Sequence, residues 1–527
     1  MTVTPHTPHG AQPAADGAPR RSLILAGGGM RVAYQAGVIR ALIESGLTFT
    51  HADGTSGGTM NLAMLLSGLS PEDMCDRWRT LNVKDFASLL PLEDYLKATD
   101  LIAMGSADGL TGKVFPHLGI DVPTINAATG MAGTFNVCNY TRKTNEAVPH
   151  DRVDLDLLVA GVSLPIFMPP VQRGGELYVD SVWIKDANLM EAVRRGADEL
   201  WLVWCIGNSA QYLRGMFHQY VHMIELSANG GLFEEFDRIN DINARIRNGE
   251  AVGGRTQPIR LHLIKPEYPL PLDPEFYFGR IDAATLIAMG YADAKQYLAH
   301  LNPAGIAFVP EATRMKDNVL GLAFRERLSG HFAWGETDPQ VAVQQAAAAG
   351  STLALEMAVS IDDLQRFLSE PGHAGRLTGY ISLAPAGADI PAKSGTFRLA
   401  SPPDSPHRRV ITYDLAFDWQ GKEYYLAGEK EIDDHPGFDV WADTATLYVQ
   451  LHAGVDRSAP VVGAGVAKLS IGELLKMLAS LHAINAPSAG QSVAAVVEFG
   501  RCYLGALWAT YGSHVARDTA DAASPLA

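Results

Sequence analysis

The stretch "SLILAGGGMRVAYQAG", residues 22–37, sets three glycines between an apolar run and a helical pattern. Glycines at a strand-to-helix turn let a ligand or a developing negative charge approach the backbone, and phosphate, nucleotide and oxyanion are the usual occupants. The same order then repeats. "MRVAYQAGVIRALIESG" carries Val32, Ile39, Leu42 and Ile43 near helical spacing and stops at Gly46, and "FTHADGTS" precedes the apolar helix "TMNLAMLLSGL". "LDLLVAG" (155–161), "ELYVD" (176–180) and "ELWLVWCIG" (199–207) read as strands, the last after a helical "NLMEAVRRGA". Such alternation predicts an α/β domain around a largely parallel sheet.

At 527 residues the chain exceeds what one core serves, so at least two domains are expected. Residues 1–21, rich in Pro, Ala and Gly, read as a disordered tail. Residues 22–310 form the α/β domain, with 71–130 as an inserted helical cap, and 311–370 read as a helical linker. From residue 371 the runs "TGYISLAP", "RVITYDLAFDW", "KEYYLAGEKEI" and "ATLYVQLHAG" are short, strand-like and divided by turn residues. A mainly β domain over 371–527, closed by helices from Ile471, is expected. The nearest approach to the roughly eighteen apolar residues of a spanning helix, from Ser492, is broken by Glu498 and Arg501.

A formal net charge of -16 argues against nucleic acid, or an anionic membrane held by a basic patch, as the main partner. Cys75, Cys138, Cys205 and Cys502 are far apart and make no CxxC pair, which fits reduced thiols in the cytoplasm. "HQYVH" sets His218 and His222 one turn apart, but Gln219 stands where a zinc-protease motif needs glutamate. The acidic residues 431–443 lack the spacing of a calcium loop. Neither a metal nor a cofactor is expected.

The second glycine cluster, "GTSGG" from Gly54 to Gly58, matches G-x-S-x-G between a strand over Thr48–Asp53 and the helix from Thr59. That context suits a nucleophile elbow, in which Gly54 and Gly58 relieve crowding around Ser56 and the helix N-terminus favours negative charge on its oxygen. If the strands ending at Ala26 and Asp53 are neighbours, Gly27, Gly28 and Gly29 lie beside Ser56 as oxyanion donors. A dinucleotide site is the competing reading, but Val32 replaces the third glycine of its fingerprint and Asp53 would have to bind the ribose. No histidine has the setting of a triad base. Asp180, ending "GGELYVD", is the better candidate, against its other reading as a turn-capping Asp.

Together "GGGMR", "GTSGG" and the Asp180 element resemble the patatin-like phospholipase family over about residues 22–300. "AGVSLPIFMPP" and "NLMEAVRRGADELWLV" extend the resemblance. The chain departs from the pattern at Val32, at Leu189 and Met190, and at Ser181, where "DSV" replaces D-G-[GA]. The resemblance implies a three-layer α/β/α domain and a Ser-Asp dyad. Ser56 would attack an ester carbonyl with Asp180 as base, the Gly28, Gly29 and Met30 amides would hold the oxyanion, and Arg31 would orient the loop or pair with a surface carboxylate. It also implies a lipid or other acyl-ester substrate and peripheral membrane contact. A transacylase, and a non-catalytic lipid-binding protein with the same shell, remain alternatives, and the sequence is silent on oligomeric state. The C-terminal β domain is similar to an accessory module of cholesterol-oxidase-like flavoproteins and α/β-hydrolases.

Overall fold

The structure, a computed structural model, describes residues 19–86, 88–89, 102–271, 281–317, 319–370, 372–400, 408–433, 445–486 and 488–504. The chain divides into two compact units, one of residues 1–277 and 282–316, the other of residues 278–281 and 317–527.

In the first unit β1 (Arg21–Leu25) leads through the glycine loop into α1 (Ala33–Glu44), and β2 (His51–Thr55) leads through Ser56 into α2 (Gly57–Leu66) and α3 (Pro71–Thr80). Then follow β3 (Ala132–Asn139), β4 (Thr144–Pro149), α4 (Leu155–Gly161), β5 (Val171–Arg173), β6 (Glu176–Asp180), α5 (Leu189–Arg194) and β7 (Glu199–Val203). The long α6 (Met216–Arg247), β8 (Arg260–Ile264) and α7 (Ala283–Ala299) come next, with short helices and a two-stranded ribbon lying between α3 and β3. The sheet runs β8-β7-β1-β2-β3-β6-β5, with β4 on the other edge of β3. The pairs from β8 to β3 are parallel, and those made by β4, β5 and β6 are antiparallel.

Alternation along the parallel strands produces the layers. Ile24, Leu200, Leu202, Leu261 and Leu263 pack with Ala192 of α5 and Leu232, Phe236 and Ile239 of α6. The intervening Trp201 and His262 stack at 4.3 Å and meet Tyr297 of α7 on the opposite face. α2 is buried along its whole length, as its all-round apolar sequence demands.

Three expectations change. "LDLLVAG" is the helix α4, because Asp154 caps it by accepting the Leu157 N–H and Leu157, Leu158 and Gly161 share a buried face; a short apolar run has no period to tell the two states apart. The strand before Ser56 is His51–Thr55, running directly into the serine. Of the expected tail, residues 1–18 lie outside the described residues and Arg21 already starts β1. Within residues 71–130, α3 is tied to α2 by the Trp78 indole, which donates to Asn61 Oδ1 at 2.8 Å; residues 87 and 90–101 lie outside the described residues.

The second unit is an antiparallel barrel. Its strands are β9 (Gly321–Trp334), β10 (Thr352–Ile361), β11 (Ala374–Ala384), β12 (Gly387–Pro391), β13 (Ser394–Ala400), β14 (Arg408–Trp419), β15 (Lys422–Asp433), β16 (Thr446–His452), β17 (Val461–Lys468) and β18 (His482–Ile484). The order β10-β9-β17-β16-β15-β14-β13-β11 closes through the β10–β11 pairing, while β12 adds to β11 and β18 to β9. Residues 311–370 are therefore no helical linker: β9 and β10 lie in this wall. β10 buries Leu353, Leu355, Met357, Val359 and Ile361 at a strict period of two, which only a strand can do. Helices over Ile471–Ser480 and Ala489–Leu504 follow the last long strand.

Candidate active site

The register of β3 brings Ser56 and Asp180 together. One edge of β3 is occupied by β4 from Thr134 to Asn139. The other edge is shared: β2 pairs along it in parallel as far as Thr55 opposite Asn136, and β6 pairs antiparallel, ending at Asp180 opposite Val137. Two strands of opposite direction thus end head to head, and the residues at their tips, 124 positions apart in sequence, join in a 2.6 Å hydrogen bond from Ser56 Oγ to Asp180 Oδ2.

Ser56 sits at the N-cap of α2 with φ 52° and ψ −130°. A non-glycine residue there costs roughly 1–3 kcal/mol and persists only where the surroundings impose it. They do so through close packing, since a Cβ on Gly58 would lie 2.1 Å from the Leu25 carbonyl oxygen and one on Gly54 2.9 Å from that of Gly58. Both flanking glycines of the motif are sterically required, and the serine side chain is held at the mouth of the helix, where the dipole and unpaired amides favour negative charge.

Asp180 is 1% exposed. Its backbone N–H donates to Ser163 O at 3.0 Å, and its Oδ1 accepts the Val182 N–H at 2.9 Å. Burial pushes its carboxyl up to about 7, against the hydrogen bonds from Ser56 and Val182 that hold it down. A carboxylate so tuned takes a proton near neutral pH, which an ordinary surface Asp does poorly. Ser181 is buried and donates its hydroxyl to Asn145 Oδ1 on β4. Asn145 and Asn188 both donate to Asn136 Oδ1, and Asn136 donates to Asp53 Oδ1. Asp53 is therefore part of a buried polar chain under the site. It also accepts from Thr134, which bonds His51.

The glycine loop lies beside the serine: a Cβ on Gly27 would stand 2.9 Å from Ser56 Cβ, and one on Gly57 2.6 Å from Gly29 O. One expected oxyanion donor is withdrawn. The Gly27 N–H donates to Asp186 Oδ1 at 2.9 Å and is spent there. The Gly28 and Gly29 N–H groups have no protein acceptor among the described residues; Met30 is buried at the start of the next turn. Arg31 is not a surface residue, and its Nε donates to Gly28 O at 3.0 Å. Gln35 donates to Ala26 O and Asn61 to Val32 O, so the loop is braced from both sides by polar groups in α1 and α2.

Asp186, Gln35 and Asn61 escaped the sequence reading. Gln35 and Asn61 lie inside apolar helical runs, where a polar residue facing the core was the available signal, and Asp186 follows "WIK" in a loop with no motif of its own. His218 and His222 lie on α6, where His222 bonds the Leu213 N–H and Glu225. Among the described residues no group of three or more His, Cys, Asp or Glu is arranged to hold a metal ion. Of the acidic stretch 431–443, residues 434–443 lie outside the described residues.

Comparison with known proteins gives the following relatives. A protein of Mycobacterium tuberculosis (strain CDC 1551 / Oshkosh) described as an uncharacterised NTE family protein is 30% identical over 173 residues, 32% of this chain; the match spans only 27% of that relative's length. The crystal structure of VipD from Legionella pneumophila covers 57% of this chain and 71% of its own, at 13% identity and a TM-score of 0.27. The family model of the patatin-like phospholipases matches residues 23–193, which contain the glycine loop, Ser56 and Asp180, and this part of the chain is a patatin-like phospholipase domain, of a lipid-hydrolase family.

Proposed function

We propose that the first unit is a serine-dependent lipid acyl hydrolase working through a Ser56–Asp180 dyad. The observation that carries this is the 2.6 Å bond from a strained, helix-capping serine to a buried carboxylate, beside a loop with two uncommitted glycine amides. Asp180 takes the proton as Ser56 Oγ attacks the ester carbonyl carbon, and the Gly28 and Gly29 amides, with Met30 next to them, receive the oxyanion. Asp180 returns the proton to the departing alcohol, leaving an acyl-serine. Water then attacks this ester, giving its proton to Asp180, and collapse releases the acid and restores the Ser56 hydroxyl. No step asks for a metal or a cofactor.

Peripheral contact with a lipid surface belongs to the same reading. Ile102, Met104, Ile166, Phe167 and Met216 are exposed apolar residues. Met104, Ile166 and Phe167 connect to the site, since Met104 N–H bonds Ile166 O, the Phe167 ring meets Tyr220 at 5.4 Å, and Tyr220 meets Trp183, three residues past Asp180, at 5.7 Å. Ile166 holds φ 78°, an outlier for a β-branched side chain that keeps it turned outward beside the site. No helix among the described residues is long and apolar enough to cross a membrane. The thiols of Cys75, Cys138 and Cys205 are free and buried, which supports a cytoplasmic setting.

The test is fluorophosphonate labelling of wild type and Ser56→Ala, together with hydrolysis of short- and long-chain p-nitrophenyl esters. Labelling and turnover that vanish together in the variant are expected. Equal behaviour of the two proteins would replace the hydrolase with a lipid-binding shell.

A further inference from the structure

The first unit buries a second carboxylate that the dyad does not use. Asp186 is 1% exposed, and its Oδ1 accepts the Gly27 N–H at 2.9 Å while its Oδ2, equally buried, has no hydrogen-bond partner among the described residues. It stands close to the nucleophile, because a Cβ on Gly27 would lie 2.3 Å from Asp186 Oδ1 and 2.9 Å from Ser56 Cβ. The space over the Gly27 α-carbon is thus filled by both side chains, and only a residue without a Cβ fits there.

We propose that Asp186 is a positioning residue of this site: as a neutral carboxylic acid protonated on Oδ2 it fixes the Gly27 peptide, turning the next two amides toward Ser56, and leaves the site's negative charge to Asp180. This rests on the hydrolase reading above and adds to it a second proton with a defined place.

The hydrogen bonds decide which carboxyl is charged. Asp180 has a donor on each oxygen, Ser56 Oγ–H on one and Val182 N–H on the other. Among the described residues Asp186 has a donor on one oxygen only, and a buried charge with an unsatisfied oxygen costs far more than a neutral acid in the same place. Two neighbouring buried carboxyls do not both ionise at neutral pH, so the proton goes to the less well served. The charged and titratable groups around Asp186 do not reverse this. Arg31, across the loop, spends its Nε on Gly28 O; Lys185 pairs with Glu235 of α6; Cys205, after β7, is a buried thiol pushed up to about 12; and Asp180 adds negative charge. Burial, with Asp180 next to it, holds the Asp186 carboxyl up at about 8, against the Gly27 N–H and Arg31.

The consequence is a bell. Activity rises as Asp180 ionises and falls as Asp186 does, since a second negative charge beside the Gly27 peptide opposes both the oxyanion and the ionised base. The experiment is fluorophosphonate labelling and p-nitrophenyl ester turnover of the full-length wild type, Asp186→Asn and Asp186→Ala from about pH 6 to about pH 10. Asparagine keeps the acceptor for Gly27 and cannot ionise, so D186N is expected to retain kcat within about threefold and to lose the alkaline fall. D186A loses the acceptor and is expected to drop kcat at least about tenfold with KM little changed, because the loop is misplaced. An infrared band of a protonated carboxyl, present in wild type at neutral pH and absent in D186N, reads the proton whether or not the protein turns over. Wild-type labelling that climbs steadily to high pH, an alkaline fall that survives in D186N, or no infrared band lost in D186N would each overturn the proposal. Failure of the hydrolase reading shows separately, as labelling that survives Ser56→Ala.

Discussion

Ser181 donates its hydroxyl to Asn145 Oδ1, and so ties the turn after the candidate base to the antiparallel strand β4. The family pattern has glycine at this place, and the serine is accommodated by a polar partner rather than by open space. What aims Asp180 is independent of that hydroxyl: its own N–H on Ser163 O and the Val182 N–H on its Oδ1. Ser181→Gly is therefore expected to cost about 1–2 kcal/mol of stability, the loss of a buried hydrogen bond, with ester kcat nearly unchanged. Denaturant midpoints and kcat measured side by side check it; a collapse of kcat at unchanged stability would mean that the hydroxyl takes part in the chemistry.

Ser56 carries strain that a glycine would not. Ser56→Gly and Ser56→Ala both remove the nucleophile, but only the first relieves the positive φ of 52°. G is expected to exceed A in stability by about 1 kcal/mol, the strain relieved less the extra chain entropy of glycine. Thermal melts of the two inactive variants decide it, and equal values would mean that the turn is set by its neighbours at no local cost.

Which parts of this site were legible follows from where the signals lie in the chain. Local order revealed β1, the glycine loop, α1, the Ser56 turn and α2, because each switches hydrophobic period within a few residues and is punctuated by glycine. The wall strands β9 and β10 are hard to read from the sequence because the alanine-rich "QVAVQQAAAAG" (340–350) between them has a helical composition; the helix is real, over Pro339–Ala349, but it is an insertion between strands. Asp186 was invisible for another reason. Its role depends on the Gly27 amide 159 positions earlier, and no local pattern carries that separation.

Stability should fall as pH rises. Asp53, Asp180 and Asp186 are held by burial at about 7, about 7 and about 8, above the ordinary 3.8. A carboxyl raised on folding contributes stability that is complete below its unfolded value and is lost as pH rises through its folded value. For these three the loss spans the interval from 3.8 to about 8. Hydrogen exchange of β1 and β2 peptides should quicken, beyond the intrinsic rate change, between the two ends of that interval, and Asp186→Asn should flatten the dependence. A pH-independent protection factor would contradict it.

The exposed apolar rim should matter only at an interface. Ile166→Asp and Met216→Glu place charge on exposed residues where a bilayer would receive apolar side chains. Turnover of a phospholipid in vesicles is expected to fall at least about tenfold, while a soluble short-chain ester is hydrolysed at the wild-type rate within about twofold. Equal losses on both substrates would place these residues in the pocket instead of on a docking rim.

The barrel has its own buried charge, and its removal should be costly only when done by halves. Lys430 Nζ bonds Glu326, and Tyr413 donates its hydroxyl to the other Glu326 oxygen at 2.6 Å, all three side chains being buried in the core. Lys430→Ala leaves the Glu326 carboxylate with the tyrosine as its one remaining partner among the described residues and is expected to destabilise the second unit by about 3–5 kcal/mol. Lys430→Met combined with Glu326→Leu removes both charges, keeps volume in the core and should recover most of that loss, since burying an ion pair costs nearly what its attraction returns. Hydrogen exchange of β14 and β15 peptides in the full chain separates this unit from the first. If the single and the double variant lose the same protection, the pair contributes through packing and not through charge, and the cost lies in the shape of the lysine stem against Tyr413.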